Sequence, residues 1–236
     1  MKITKFKGDI TSEIASSFKN SIAIDTEATG LQIPERDKLS LIQICDDKGN
    51  VFIIQPNKDN FKAPNLVSIL ENDKILKIGH FLRFDKNALE YFLKCKIKNI
   101  FDTKIASKIV RTYTDSHGLK NLVQEFCNKT LDKRQGSSDW NKEIDDLSEK
   151  QLEYAANDVI YLHKIKSELE KINKDVNYQF GTQNNFDQKI DELNQETETL
   201  IDEIEKLNSF EIHNKISKNI FKGEFFNFKN QYNYGP

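Results

Sequence analysis

Residues 22–31 read IAIDTEATGL, and this stretch decides the fold because an apolar strand runs directly into two acids. Alternate side chains of a strand point to opposite faces, so Asp25 and Glu27 should share one face. Two neighbouring carboxylates on a half-buried strand repel each other and lose solvation. A divalent cation between them would compensate for both costs. Two solvated acids at an exposed strand end fit the pattern as well, so the pair alone leaves both interpretations open.

Strand-like and helix-like segments alternate through the first half of the chain, which predicts an α/β fold with a mixed five-stranded sheet flanked by helices. The turn sequence DDKGN at 46–50 predicts a hairpin between the second and third strands. The predicted strands are Ser21–Asp25, Leu39–Cys45, Val51–Gln55, Ile75–Gly79 and Asn99–Phe101. The predicted helices in this half are Pro64–Glu71, Arg83–Leu93 and Thr103–Val110.

A third acid follows the fourth predicted strand, within KIGHFLRFDKNAL at 77–89. Asp85 falls on the first turns of the next helix and can reach the same end of the sheet as Asp25. A helix-start Asp favoured by the helix dipole is the alternative interpretation.

The clearest helix is predicted from Leu147 to Ile172, where Ser148 and Gln151 fit a capping box. Tyr154 and Asp158 lie four residues apart and therefore share one face of this helix. They are candidates for a water-positioning group and a metal ligand. A core tyrosine beside a satisfied Asp is the alternative.

The charge differs between the two parts of the chain. The net charge is −2, but from Asn173 onward 7 Lys face 11 Asp and Glu, which leaves a balance of +2 before that point. A mildly basic body suits a short anionic ligand and lacks the strong basic field of a long-duplex binder.

The tail after Asn173 changes character, which predicts three parts: a domain over 1–172, a polar linker over 173–185 and an acidic helical tail over 186–236. Apolar residues recur in the tail at alternating spacings of four and three, with Thr197 as a weak point. Association into a homo-oligomer and folding back onto the body both remain open. The heptad positions are Phe186, Ile190, Leu193, Thr197, Leu200, Ile204 and Leu207.

Three scattered cysteines form no metal or disulfide pattern and indicate reduced thiols. The first residues carry lysines without the apolar segment of a secretory signal. No apolar run approaches the roughly 20 residues that span a bilayer. These features predict a soluble cytoplasmic protein without a membrane partner.

The acids and the tyrosine stand in three motifs: Asp25-x-Glu27, Asp85 with His80 before it, and Tyr154-x-x-x-Asp158. This set resembles the exonuclease motifs of the DEDD superfamily in its tyrosine subgroup. The histidine subgroup would carry His at the position of Glu153. The stretches FDTKIASKIVRTYTDSHGLKNL (101–122) and SSDW (137–140) are similar to the ribonuclease D family, most of all to its small nanoRNase C type. The resemblance runs from Ile3 to Leu169.

The resemblance implies a ribonuclease H-like fold and a metal-dependent 3′→5′ exoribonuclease that hydrolyses short RNA, down to dinucleotides, to 5′-mononucleotides with two divalent cations. Oxygen ligands suit Mg²⁺ or Mn²⁺ and argue against zinc. Asp25 would bridge both ions, Glu27 and Asp158 would complete the first, and Asp85 would support the second. Tyr154 would orient the attacking water.

Substrate contacts are expected from a further set of residues. Leu31 sits where such enzymes wedge a side chain against the terminal base, and aromatic stacking on bases contributes about 1–3 kcal/mol per base. For the two phenylalanines, core packing explains the pattern equally well. Some basic residues of 101–122, Arg111 among them, are candidates for phosphate contacts or a solvated helix face. The expected substrate contacts are Leu31, His80, Phe81, Phe84, His117 and Trp140.

Two alternatives stand beside short-RNA hydrolysis. One is trimming of longer structured RNA 3′ ends, as in the larger ribonuclease D enzymes, or of DNA 3′ ends. The other is a non-catalytic interaction protein on the same fold, although such a protein has no reason to keep every acid.

Overall fold

A computed structural model describes residues 2–33, 35–132, 136, 138–180 and 192–199 of the chain. By their contacts, the residues divide into two compact units, Met1–Phe186 and Asp187–Pro236. The first unit contains all the labelled elements below. In the second, residues 192–199 are helical.

The described part of the first unit holds one mixed sheet of six strands, with the order β1-β4-β3-β2-β5-β6. The predicted α/β class is therefore confirmed. β3 pairs antiparallel with both β2 and β4, and the other neighbouring pairs are parallel. The strands are β1 (Lys2–Lys7), β2 (Ser21–Ala28), β3 (Leu39–Asp46), β4 (Asn50–Gln55), β5 (Leu76–Gly79) and β6 (Ile100–Asp102).

The sequence-based count of five strands was wrong because it missed β1. The sequence of this strand, KITKFK, carries three lysines and few apolar residues, so it lacks the hydrophobic signal of a buried strand. β1 lies at the edge of the sheet, paired only with β4. Lysines are common on such edges because they discourage further strand pairing.

Seven helices cover the two faces of the sheet in the described residues. On one face, α1, α2 and α3 enclose a core built from alternate residues of β2, β3 and β4, such as Ile24 and Ile42. On the other face, α6 packs across the same three strands, and α7 packs on α4 and α5. The helices are α1 (Ser12–Ser17), α2 (Pro64–Leu70), α3 (Arg83–Leu93), α4 (Thr103–Val110), α5 (Leu119–Cys127), α6 (Glu149–Ile160) and α7 (Leu162–Phe180).

The long helix predicted from Leu147 to Ile172 consists of two helices in the structure, because the helix is interrupted at Tyr161. The apolar stripe continues across Tyr161, so the hydrophobic periodicity did not reveal the interruption. The two halves pack on different partners, α6 on the sheet and α7 on the neighbouring helices. A single straight helix would not serve both surfaces.

The expected linker at 173–185 also needs correction, since α7 continues to Phe180. Residues 173–180 are polar but contain no Gly or Pro, so nothing in them stops a helix before Gly181. The division into an exonuclease domain and a tail remains a prediction. Of the heptad positions, Leu193 and Thr197 lie in the helical residues 192–199, and the others lie outside the described residues.

All three cysteines are free, as expected, and Cys45 and Cys95 are buried. Burial raises the pKa of both buried thiols to about 12. Among the described residues, no helix is long and apolar enough to cross a membrane.

Candidate active site

Three carboxylates meet where α6 crosses β2. Asp25 and Glu27 project from one face of the strand, and Asp158 comes from the last turn of the helix. One oxygen from each side chain lies within 4.8 Å of the other two. Ala155 and Ala156 are fully buried, and their small side chains let the helix approach the sheet.

The donor set of this acid cluster fits a hard divalent cation. Three negative charges at this separation repel one another, and burial weakens the solvation that would offset the repulsion. Carboxylate oxygens are the ligands that Mg²⁺ and Mn²⁺ prefer. Asp25, Glu27 and Asp158 are therefore the residues that could hold such an ion.

Tyr154 stands one turn before Asp158 on α6, as the spacing predicts. Burial is the main cause that raises the pKa of its phenol, and the negative charges of Asp158, Glu27 and Asp25 add to it. Its hydroxyl also hydrogen-bonds to Asp158. The phenol therefore keeps its proton at neutral pH and acts as a hydrogen-bonding group, not as a base.

Asp85 lies beside the acid cluster but is not one of its three members. Its Oδ1 accepts hydrogen bonds from the backbone N of Thr26 at 3.0 Å and from the Thr26 hydroxyl at 2.5 Å. Burial raises the pKa of this carboxyl to about 6, and the charge of Asp102 adds to the shift, while the Thr26 hydrogen bonds oppose it. Thr26 thus ties α3 to β2 between the two motif acids. A ligand role for Asp85 remains a prediction.

Two of the expected substrate contacts are apolar side chains held out in solvent. Leu31 is 84% exposed and Phe81 is 55% exposed. The Leu31 loop is fixed at its base, since Thr29 N bonds to the Lys38 carbonyl at 3.0 Å. A Cβ atom at Gly30 would lie 2.4 Å from the Asp37 carboxylate, so a larger residue there would displace that side chain.

The other expected contacts differ in their surroundings. Phe84 is half-buried on α3. His117 is half-buried, and its Nδ1 lies 2.9 Å from the Ser107 hydroxyl. Arg111 is 1% exposed and is bound to Glu125 and Ser107. Arg111 therefore connects α4 with α5, and the sequence-based idea of a phosphate contact or a solvated position was wrong for this residue.

Trp140 was expected to line the substrate channel, but it is only 4% exposed. Its ring packs against Tyr154, with a centroid distance of 6.0 Å. The polar sequence around it suggested a surface position. Trp140 is therefore a buried ring beside Tyr154, and a substrate contact for it stays a prediction.

One polar residue next to the acid cluster belongs to none of the sequence motifs. Gln43 lies on β3 directly opposite Asp25 and is fully buried. Among the described residues, neither atom of its amide has a hydrogen-bond partner. A glutamine inside the apolar run LSLIQIC was the available signal, because a buried amide without a partner is costly.

The architecture and these motifs agree with three comparisons. The model of the family described as 3′-5′ exonuclease matches residues 6–174. Ribonuclease D from Haemophilus influenzae is 34% identical over 155 residues, which is 65% of this chain and 37% of that protein. The chain thus spans less than half the length of this curated relative.

Solved structures of Brucella melitensis NrnC are similar over most of both chains. The form with bound Mg²⁺ is 36% identical, with a TM-score of 0.74, and the match covers 89% of this chain and 97% of NrnC. The form bound to pGG is 39% identical, with a TM-score of 0.73, and covers 84% and 93%. Since the family model also matches well over half of the residues, the chain belongs to the 3′-5′ exonuclease family, among the ribonuclease D-like enzymes of the DEDD superfamily.

Proposed function

We propose that the protein hydrolyses short RNA oligonucleotides from the 3′ end, down to dinucleotides, and releases 5′-mononucleotides with the help of two divalent cations. The observation that carries this proposal is the acid cluster of Asp25, Glu27 and Asp158 within 4.8 Å, with the Tyr154 phenol beside it. Phosphodiester hydrolysis needs such a site because charge develops on both the attacking and the leaving oxygen.

The ligands divide between two positions. Asp25, Glu27 and Asp158 would hold one ion, and Asp25 with Asp85 would hold the second. When bound, the ions supply an activated water at neutral pH and neutralise charge on the phosphate and the leaving 3′-oxygen. Either Mg²⁺ or Mn²⁺ suits these oxygen ligands.

Tyr154 orients the attacking water. Its O–H donates to Asp158, which leaves the phenolic oxygen able to accept a hydrogen bond from a water molecule. Because the phenol stays protonated, it fixes the direction of attack without removing the proton. Trp140 packs against its ring and limits its movement.

Short substrates fit the exposed side chains. Leu31 and Phe81 offer two apolar surfaces to bases at the end of a chain. The body before Asn173 carries a balance of only +2, which favours a ligand with few phosphates. NrnC, which is similar over 84% of this chain, was solved with the dinucleotide pGG.

Trimming of longer RNA is the second candidate. The similarity to ribonuclease D from Haemophilus influenzae favours it, although that protein has more than half of its length outside the match. The regions of that relative outside the match are candidates for additional RNA contacts.

A time course on a 5′-labelled RNA heptamer and a labelled dinucleotide, with Mn²⁺ or with EDTA, tests the proposal. Fast dinucleotide cleavage with slow attack on the heptamer is the expected result. A ladder that shortens from the 3′ end and stops at dimers would favour the trimming function. If neither RNA is cleaved with metal present, the interaction-protein alternative gains instead. An Asp25→Asn preparation serves as the control for contaminating nucleases.

A further inference from the structure

Gln43 differs from the other buried glutamines in the described part of the chain. Gln55 on β4 donates from its Nε2 to the Lys142 carbonyl at 2.8 Å, and its Oε1 accepts from the Ile144 N–H at 3.0 Å. Gln151 on α6 likewise uses both atoms of its amide. Neither amide atom of Gln43 has a hydrogen-bond partner among these residues. Gln55 and Gln151 therefore join parts of the chain, and Gln43 does not.

Gln43 shares one face of the sheet with the acid cluster. Ile24 and Ile44 pair across β2 and β3 and point into the core under α1, α2 and α3. Asp25 and Gln43 are the next pair along the two strands, so their side chains point to the opposite face, which α6 covers. Directly opposite residues of antiparallel strands have Cβ atoms about 4.5–5.5 Å apart. The two side chains are therefore neighbours.

The surroundings of the Gln43 amide are apolar on its other side. Its partner on β4 is Ile53, which is fully buried, and the buried residues of α6 above this face include Ala155 and Val159. Gln43 is 0% exposed, so bulk water does not reach the amide. An amide in such a place is costly unless it finds a hydrogen-bond partner. Of its two cross-strand neighbours, Asp25 is the one with a polar side chain.

The chemistry of an amide suits a place beside a carboxylate that binds a cation. A carboxylate has about four lone-pair sites on two oxygens, so it can still accept a hydrogen bond while it binds an ion. The amide nitrogen carries two donors and no charge. A lysine there would compete with the cation, and another acid would add to the repulsion within the cluster.

We propose that Gln43 is a positioning residue of the metal site, and that its Nε2–H group donates to the Asp25 carboxylate when a divalent cation is bound. The amide has to turn toward Asp25 to make this bond, since its atoms have no partner among the described residues. The inference rests on the metal site of the proposed function but not on the RNA substrate. It is therefore tested with the metal alone.

The affinity for Mn²⁺ in the absence of RNA is the first measurement, made on the full chain from the EPR signal of free Mn²⁺. Gln43→Met keeps the length of the side chain and removes the amide. Loss of a hydrogen bond to a metal-binding carboxylate typically weakens metal binding about 10–100-fold, and we expect a loss of that size. An unchanged affinity would overturn the proposal.

The melting temperature in EDTA separates positioning from a structural role. Gln43→Met should melt at the same temperature as the wild type or higher, because an apolar side chain replaces an amide that has no partner. A clear fall in the melting temperature would show that the amide supports the fold itself, and this result would also overturn the proposal.

Gln55→Met is the matched control, since it makes the same substitution at a buried glutamine of the neighbouring strand. The Lys142 carbonyl and the Ile144 N–H would lose their partner, so the melting temperature in EDTA should fall. The affinity for Mn²⁺ should stay unchanged. An equal loss of affinity in both variants would contradict a specific role for Gln43.

NMR of the wild-type chain with ¹⁵N-labelled glutamine tests the hydrogen bond directly. Gln43→Met assigns the side-chain signal, or Gln43→Leu if the first variant does not fold. We expect Mg²⁺ to move one of the two Nε2 protons downfield, and a signal that does not respond would overturn the proposal. If Mn²⁺ binds as expected but no RNA is cleaved, the proposed function fails and the role of Gln43 stands. If the wild type binds no Mn²⁺, both fail.

Discussion

Asp102 and the acid cluster lie at one end of the sheet and differ in what surrounds them. Asp102 is buried and receives four backbone N–H groups, so its charge is matched by the protein itself. Asp25, Glu27 and Asp158 instead face one another within 4.8 Å. The first arrangement stabilises a turn and a helix, and the second stores repulsion that a cation can relieve. A structural acid and a reactive one therefore differ here in their neighbours, which include four backbone N–H groups around Asp102 and other carboxylates in the acid cluster.

Removal of one charge from the acid cluster should have the largest effect on the rate of hydrolysis. Asp25→Asn should lower the rate of RNA hydrolysis about 10³-fold or more, because the charge compensation that carries catalysis is lost. The melting temperature in EDTA should stay the same or rise, since repulsion falls. Hydrolysis near the wild-type rate would refute the mechanism.

Tyr154→Phe should come next, with a loss of about 10²–10⁴-fold in kcat if the hydroxyl orients the water during proton transfer. The ring and its contact with Trp140 remain, so stability should change little. Steady-state kinetics on the dinucleotide measure the effect. A loss below tenfold would place Tyr154 in the core without a part in the reaction.

Asp102→Ala should mainly lower stability, whereas substitution of a clustered acid should mainly lower activity. Four N–H groups would lose their buried acceptor, and we expect the free energy of unfolding to fall by about 3 kcal/mol. Asp158→Asn is the matched variant at the cluster and should cost little stability in EDTA while abolishing activity. Urea unfolding of both variants checks the comparison. Equal destabilisation would remove the distinction between the two groups.

Gly30→Ala should have the smallest effect and should act on substrate binding. The added Cβ would meet the Asp37 carboxylate at 2.4 Å and shift the loop that carries Leu31. A displacement of about 1 Å can cost up to 10²-fold, so we expect a ten- to hundredfold loss in kcat/KM, mostly in KM.

Gly118→Ala is the control for that variant, because among the contacts described nothing lies within 4 Å of an added Cβ there. Similar kinetics for both variants would show that the Leu31 loop has no part in binding.

Much of the site could be predicted because its signals are local. The spacing in Asp25-x-Glu27 places both acids on one strand face, and the capping box of Ser148 and Gln151 marks the start of α6. The two acids also belong to the motifs that produce the family resemblance, together with Asp85, Tyr154 and Asp158.

The features that could not be predicted from the sequence depend on tertiary contacts. The lysines of β1 hid an edge strand, and the polar neighbours of Trp140 hid a buried ring. The hydrogen-bond donor that ties Asp85 to β2 is Thr26, which no spacing rule indicates. These features depend on which elements lie side by side, and a single sequence does not specify that.

The buried cysteines allow local opening of the sheet to be measured by their rate of alkylation. Cys45 is buried on β3, and burial raises the pKa of its thiol to about 12, so alkylating reagents should react only when β3 separates from its neighbours. Cys127 is partly exposed and should be labelled first. The lag between the modification of Cys127 and that of Cys45 would then measure how often the strand beside Asp25 opens, with no residue substituted.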